Sequence, residues 1–254
     1  MIVSSGGYPP GTFEERGDDP VPLTIYLSDV GGPIRSLFGM AHKHVFAIAR
    51  DPKTGWPLPT EGMTERAWQM RCATDPDVVD YQTQPMRLEY MSGSILVSWL
   101  PDYWILWRSG EIEIGEVKVD EAGLADPAYR RKLQVGFSLM ARMGWHGRVR
   151  YRRNILGTPE RQVNVATLYP DRSARTERSH MAVFHRLRTQ ASDLCFGDLV
   201  AELDRDRPMH SQAVAHRLIC AGRVHADLDD LLTEDTAVTL RDRTFAVSPF
   251  RVRA

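Results

Sequence analysis

Between residues 78 and 119 the chain runs in short alternating segments separated by glycine turns, a rhythm that demands antiparallel strands. Met86, Leu88 and Tyr90 fall on one side of the first clear segment, and Arg87 and Glu89 fall on the other. Ser92-Gly93 separates it from residues 94–100, and Arg108-Ser109-Gly110 separates residues 103–107 from 111–119. Both are hairpin signals. Residues 78–82 add a short β-branched strand. The period changes at residues 127–143, where apolar side chains at 129, 133, 136, 137, 140 and 143 mark one helical face. Pro127 suits its start and Gly144 its end. Upstream, residues 63–72 read as a helix with Thr64 as cap, stopped by Asp75-Pro76-Asp77. Residues 149–155 and 163–168 read as further strands. A helix, antiparallel strands, a helix and a strand together predict an α/β domain, with a mixed sheet flanked by helices.

The 254 residues allow one large domain or two small ones. Residues 1–22 are Gly/Pro-rich and read as a flexible leader, with the first domain at 23–170. Residues 171–254 form a mainly helical remainder, with helices expected at 179–192, 196–204 and 209–221 and short strands at 223–226 and 237–240. Three helices with a small β-hairpin make a winged-helix pattern. A charged fraction of 26% beside 43% hydrophobic residues is that of a globular chain. The net charge of -1 announces no nucleic-acid partner by its overall field, although a local patch suffices for one. Cys72, Cys195 and Cys220 are too scattered for a disulfide framework or a zinc site, which fits a reducing cytoplasm. No apolar run of about 20 residues suggests a membrane span, and the N-terminus lacks the pattern of a signal peptide.

The chemistry concentrates in Pro101-Asp102 and Glu116-Val117-Lys118. Residues i and i+2 of a strand share a face, so Glu116 and Lys118 stand side by side while Val117 turns into a core. With Asp102 on the neighbouring strand, one place gathers two carboxylates and an ammonium. Mg²⁺, or Mn²⁺ in its place, takes hard oxygen ligands and keeps several waters. Asp102, Glu116 and the Val117 carbonyl would therefore suffice to bind it. Lys118 would orient the nucleophile, and Glu65 on the upstream helix would assist. Such a set suits phosphodiester hydrolysis. The simpler alternative is a solvated strand face carrying a weak ion pair.

Between residues 62 and 168 the chain also resembles TnsA-type endonuclease subunits of heteromeric bacterial transposases, members of the restriction-endonuclease-like PD-(D/E)xK superfamily. The resemblance rests on Thr64-Glu65-Arg66, on Asp77-Val78-Val79-Asp80-Tyr81-Gln82-Thr83-Gln84-Pro85, on Leu100-Pro101-Asp102-Tyr103 and on Gly115-Glu116-Val117-Lys118. Gly144 with the segment after it, and Asn164 with Leu168, extend it. Tyr103 stands where the family has Phe, and Tyr151-Arg152-Arg153 lacks the family's Thr-Glu. The resemblance implies a restriction-endonuclease-like fold and a Mg²⁺-dependent nick in one strand at each transposon end. It also implies a DDE-type transposase that cuts the other strand, and an AAA+ ATPase regulator. The alternatives are a stand-alone restriction or repair nuclease of the same fold, or a non-catalytic module that docks a transposase.

Lys132, Arg148, Arg150, Arg152 and Arg153, with Arg130 and Arg131, form a basic group expected near the active face, where they would hold double-stranded DNA by its phosphates. Trp99, Trp104 and Trp107 are expected in the core. His180, His185, His210, His216 and His225 lack metal-ligand spacing and read as surface or capping groups. The helix at 209–221 offers few groove-reading side chains, and Asp227, Asp229, Asp230, Glu234 and Asp235 would repel phosphate. Protein docking is the expected role of that region.

Overall fold

The computed structural model describes residues 23–28, 32–34, 46–190 and 193–242, so the leader at 1–22 lies outside the described residues. The chain begins with β1 (Leu23–Leu27), β2 (Phe46–Arg50) and β3 (Pro57–Glu61), followed by α1 (Met63–Thr74). Five strands follow: β4 (Val78–Thr83), β5 (Met86–Ser92), β6 (Ile95–Trp99), β7 (Tyr103–Trp107) and β8 (Ile112–Lys118). Then come a 3-10 turn (Glu121–Leu124), α2 (Pro127–Ala141), β9 (Trp145–Tyr151), α3 (Arg152–Leu156) and α4 (Pro159–Asp171). The remainder holds α5 (Arg178–Gln190), α6 (Phe196–Leu203), α7 (Pro208–Cys220), β10 (Val224–His225) and β11 (Thr239–Leu240).

The main sheet has the order β4-β7-β8-β9. Its first three strands are antiparallel, and β9 returns through α2 to lie parallel to β8. A second sheet, β1-β5-β6, is wholly antiparallel. The main sheet buries both faces. On one, Trp104, Leu106 and Ile114 pack with Trp99 and with Leu133, Leu139 and Met140 of α2. On the other, Tyr81, Tyr103, Ile105 and Val117 pack with Trp68 and Cys72 of α1. Val117 thus turns into a core, and Trp99 and Trp104 are buried in one, as their sequence positions led us to expect.

α2 begins where proline and aspartate place it. The Asp126 carboxylate accepts from the Ala128 amide at 2.9 Å, and Pro127 opens the first turn. α1 differs from expectation. Gly62, at φ 98°, occupies its N-cap, and Thr64 lies inside the helix. The strand expected at 149–155 ends at Tyr151, and Arg152–Leu156 is helical. The strand expected at 163–168 is replaced by α4, which Thr158 caps through the Arg161 amide at 3.0 Å. Its buried Asn164 and Leu168, four residues apart, show the helical period that the β-branched pair around Asn164 disguised.

α4 also runs across the expected boundary at 170. Its Leu168 joins Phe184, Leu199, Val214, Leu218 and Ile219 in a separate core formed with α5, α6 and α7. β10 and β11 close that region as a two-stranded antiparallel pair. His180 and His216 are buried rather than on the surface. The His216 ring lies 2.7 Å from Asp171 and stacks on Phe196, while His180 accepts from the Glu177 amide at 3.0 Å before α5. The two regions are joined where Arg108 donates to the Gly222 carbonyl and Arg241 meets Asp77 at 2.6 Å.

Candidate active site

The site forms where β7 begins and β8 ends. Tyr103 is the partner of Gly115, so Asp102 arrives beside Glu116 as the strands pair. The ladder then stops using main chain on one side. The Asp102 amide donates to the Gly115 carbonyl at 2.9 Å, and the Asp102 carboxylate accepts from the Val117 amide at 2.8 Å. A residue's N–H and C=O point to the same side of a strand, so the Val117 carbonyl also faces the Asp102 edge. Gly115 is required here, because a Cβ on it would lie 1.7 Å from the Arg148 carbonyl oxygen.

Asp102 is held from behind by Gln84, whose amide donates to the Asp102 carbonyl at 3.0 Å. Gln84 adopts φ 44°, a left-handed conformation disfavoured for a residue with a Cβ, and it precedes a proline. Such strain recurs at functional sites. The Gln84 side-chain oxygen is buried with no hydrogen-bond partner, while its amide nitrogen lies 3.5 Å from Glu61. Glu61 in turn donates its main-chain amide to the Glu65 carboxylate at 2.8 Å.

Glu116 is 2% exposed, and both its oxygens are engaged. Oε1 accepts from Trp99 Nε1 at 2.6 Å. Oε2 accepts from the Tyr129 hydroxyl at 2.5 Å and from Lys118 Nζ at 2.6 Å. The Lys118 ammonium also lies 3.7 Å from Asp102 Oδ2 and 5.2 Å from the centre of the Tyr129 ring. A carboxylate has about four lone-pair positions. Oε2 of Glu116 has filled its share, whereas Oε1 keeps one, and Asp102 Oδ1 takes no hydrogen bond among the described residues.

Electrostatics reflect the crowding of acids. Burial, and then the charge of Glu116, hold the Asp102 carboxyl well above the usual carboxylate range. Burial likewise pushes Glu65 up to about 7, with Glu61 and Glu116 adding to it and Lys118 opposing. Burial disfavours the charge on Lys118, but Asp102 and Glu116 outweigh it and keep the ammonium above the ordinary lysine range. Burial and the nearby Glu116 charge raise the Tyr129 hydroxyl, so it remains a donor. Glu61 and Glu116 act on Glu65, and Glu116 and Glu65 act on Asp102, with Lys118 as the site's cation, so a bound divalent cation would favour the charged form of these carboxyls. No cluster of three or more His, Cys, Asp or Glu side chains arranged for a metal is present among the described residues. A cation here would rely on two carboxylates, a carbonyl and water, the sparse protein ligation that Mg²⁺ accepts.

The structure therefore brings Asp102, Glu116, Val117 and Lys118 together, with Glu65 within electrostatic reach. It does not bring the whole basic group to them. Val149 is the partner of Glu116, whereas Arg148 pairs with Gly115 and Arg150 with Val117. Paired residues share a face, so Arg148 and Arg150 stand on the α1 side, opposite Glu116 and Lys118. There Arg150 binds the buried Glu113 through two nitrogens, at 2.8 and 2.5 Å, and Arg148 lies 3.8 Å from it. Arg152 and Arg153 lie on α3 rather than on a strand. Arg153 is paired with Glu121, and Arg152 is exposed. Lys132, on α2, donates to the Ser98 carbonyl at 3.1 Å and lies 5.4 Å from the Tyr129 ring.

Sequence reasoning missed Trp99, Tyr129, Glu61 and Gln84 as members of the site. Trp99 and Tyr129 read as core positions, and only the pairing of distant segments reveals their polar ends. Gln84 carried a signal, since it lies in the Gln-Pro step of the resemblance. No protein-family model matches the chain, and its sequence matches no curated protein.

Proposed function

We propose that this protein is a metal-dependent DNA endonuclease, the strand-nicking subunit of a TnsA-type transposase. The observation that carries this reading is the Asp102 carboxylate bound to the Val117 amide, which draws Asp102, Glu116 and Lys118 to one strand end. The order α1, β4, β7, β8, α2, β9, with β8 and β9 parallel, supports a restriction-endonuclease-like core. α5 to α7 with the β10–β11 pair support a winged-helix reading of the C-terminal region.

Asp102, Glu116 and the Val117 carbonyl would hold Mg²⁺ or Mn²⁺, which when bound polarises a phosphate and lowers the pKa of a coordinated water. Trp99 and Tyr129 fix the Glu116 carboxylate. Lys118 stays charged and neutralises the phosphate beside it. Glu65, raised to about 7, exchanges a proton near neutral pH. Lys132 and Arg152 are the cations we assign to the DNA backbone, and Arg150 is assigned a structural role with Glu113. A DDE-type transposase and an AAA+ ATPase complete the proposed cytoplasmic assembly. No helix among the described residues is long and apolar enough to cross a membrane.

Nicking of a supercoiled plasmid carrying transposon ends, with the cognate transposase and Mg²⁺ or Mn²⁺, tests the proposal. Asp102→Asn and Lys118→Met are expected to lower the rate at least about 100-fold while the fold persists. Nicking at the wild-type rate by both variants would refute the site.

A further inference from the structure

A cavity of about 340 Å³ lies away from the Glu116 site, between the α/β sheet region and the C-terminal helices. Its walls come from the segment after β2, the end of α1, β4, the α4–α5 link and α7. Five cations line it: Lys53, Arg108, Arg172, Arg217 and Arg223. Its acids are Asp51 and Asp80, and Asp77 is paired with Arg108 at 3.8 Å from just outside it, so five positive charges face three negative ones, a formal excess of two.

Asp51 offsets one of these cations. Asp51 Oδ1 accepts from the Lys53 amide at 2.8 Å, and its Oδ2 lies 3.3 Å from Arg172 Nε. Asp80 Oδ1 accepts from the Tyr81 amide at 2.9 Å. The Thr176 hydroxyl is buried without a hydrogen-bond partner, and Arg172 Nε has only its ion pair with Asp51. The half-buried Arg217 donates to the Arg172 carbonyl at 3.1 Å and has no carboxylate within ion-pair distance among the described residues. A desolvated guanidinium without a counter-charge is costly, and its planar donor edge matches a phosphate or carboxylate.

We infer that this cavity binds a small polyvalent oxyanion carrying phosphate or carboxylate groups. Its volume lies at the lower end of small-molecule sites, so the ligand is compact. By touching both regions at once, it would stabilise their packing in proportion to its occupancy.

Calorimetric titration of the full chain with sodium pyrophosphate and, separately, with citrate tests this, in EDTA at fixed ionic strength. At least one of the two anions is expected to saturate a single site, and the tighter one names the chemistry. Arg217→Gln and Arg223→Gln should each weaken binding at least about tenfold, the loss of one charge-assisted hydrogen bond. Lys118→Met, at the other site, should leave it unchanged within about twofold. Circular dichroism establishes that each variant is folded, and either arginine variant suffices if the other is not. Absence of saturable heat with both anions overturns the inference, as does equal binding by a folded arginine variant. Displacement of the anion by a short DNA duplex would place the cavity on a nucleic-acid surface and overturn the small-ligand assignment.

Discussion

Replacing Glu65 with Gln should make the protein more stable at pH 8 and leave its stability nearly unchanged near pH 4. Glu65 is a carboxyl whose pKa in the folded chain is raised from 4.5 to about 7, first by burial and then by Glu61 and Glu116. Between those two values the folded chain binds more protons at this position than the unfolded chain does. Stability from this group is therefore fully present below pH 4.5, falls as pH rises, and reaches its lower plateau above about pH 7. One pH unit corresponds to about 1.4 kcal/mol, so a fully buried Glu65 would cost about 3 kcal/mol at pH 8. Its side chain keeps some contact with solvent, which reduces the expected cost to about 2 kcal/mol. Gln retains an oxygen that can accept from the Glu61 amide, so the hydrogen bond at 2.8 Å survives the substitution. Urea unfolding of both proteins from pH 4 to pH 8, in EDTA, measures the difference. A variant no more stable than wild type at pH 8, or a difference independent of pH, would refute this linkage. If Glu65 also serves catalysis, the gain in stability comes with a loss of nicking.

Glu113→Gln should cost about 3–5 kcal/mol in denaturant unfolding, because it leaves the Arg150 guanidinium without its buried carboxylate. The double variant Glu113→Leu/Arg150→Met should recover much of that loss, as expected of a structural pair rather than a DNA contact. Gly115→Ala should destabilise by about 3 kcal/mol or more, read by thermal denaturation, since its Cβ would enter the Arg148 carbonyl and part β8 from β9. Tyr129→Phe should lower stability by about 1.5–3 kcal/mol, the range for a hydrogen bond to a charged group, with Lys118 still bonded to Glu116.

Local rules suffice wherever a segment's own period or cap decides its state. The β5–β6 and β7–β8 hairpins follow from alternation and their glycine turns. α2 follows from Asp126, Pro127 and its apolar stripe. Strand parity alone places Glu116 and Lys118 together and turns Val117 away. α4 is legible too, through Thr158-Pro159 at its start, but the β-branched residues beside Asn164 suggest a strand.

What the tertiary structure decided was every relation across strands and between distant segments. The register of β9 against β8 sets Arg148 and Arg150 on the face opposite Glu116, and the buried Glu113 on that face claims Arg150. The same non-local packing brings Trp99 and Tyr129 to Glu116, Gln84 to Asp102, and Glu61 to Glu65. Sequence records which side chains share a strand's face, because that depends on backbone geometry alone. It does not record which strand lies alongside, or which buried charge needs a partner. Those depend on long-range burial, where a desolvated carboxylate must find its donors wherever the fold has placed them.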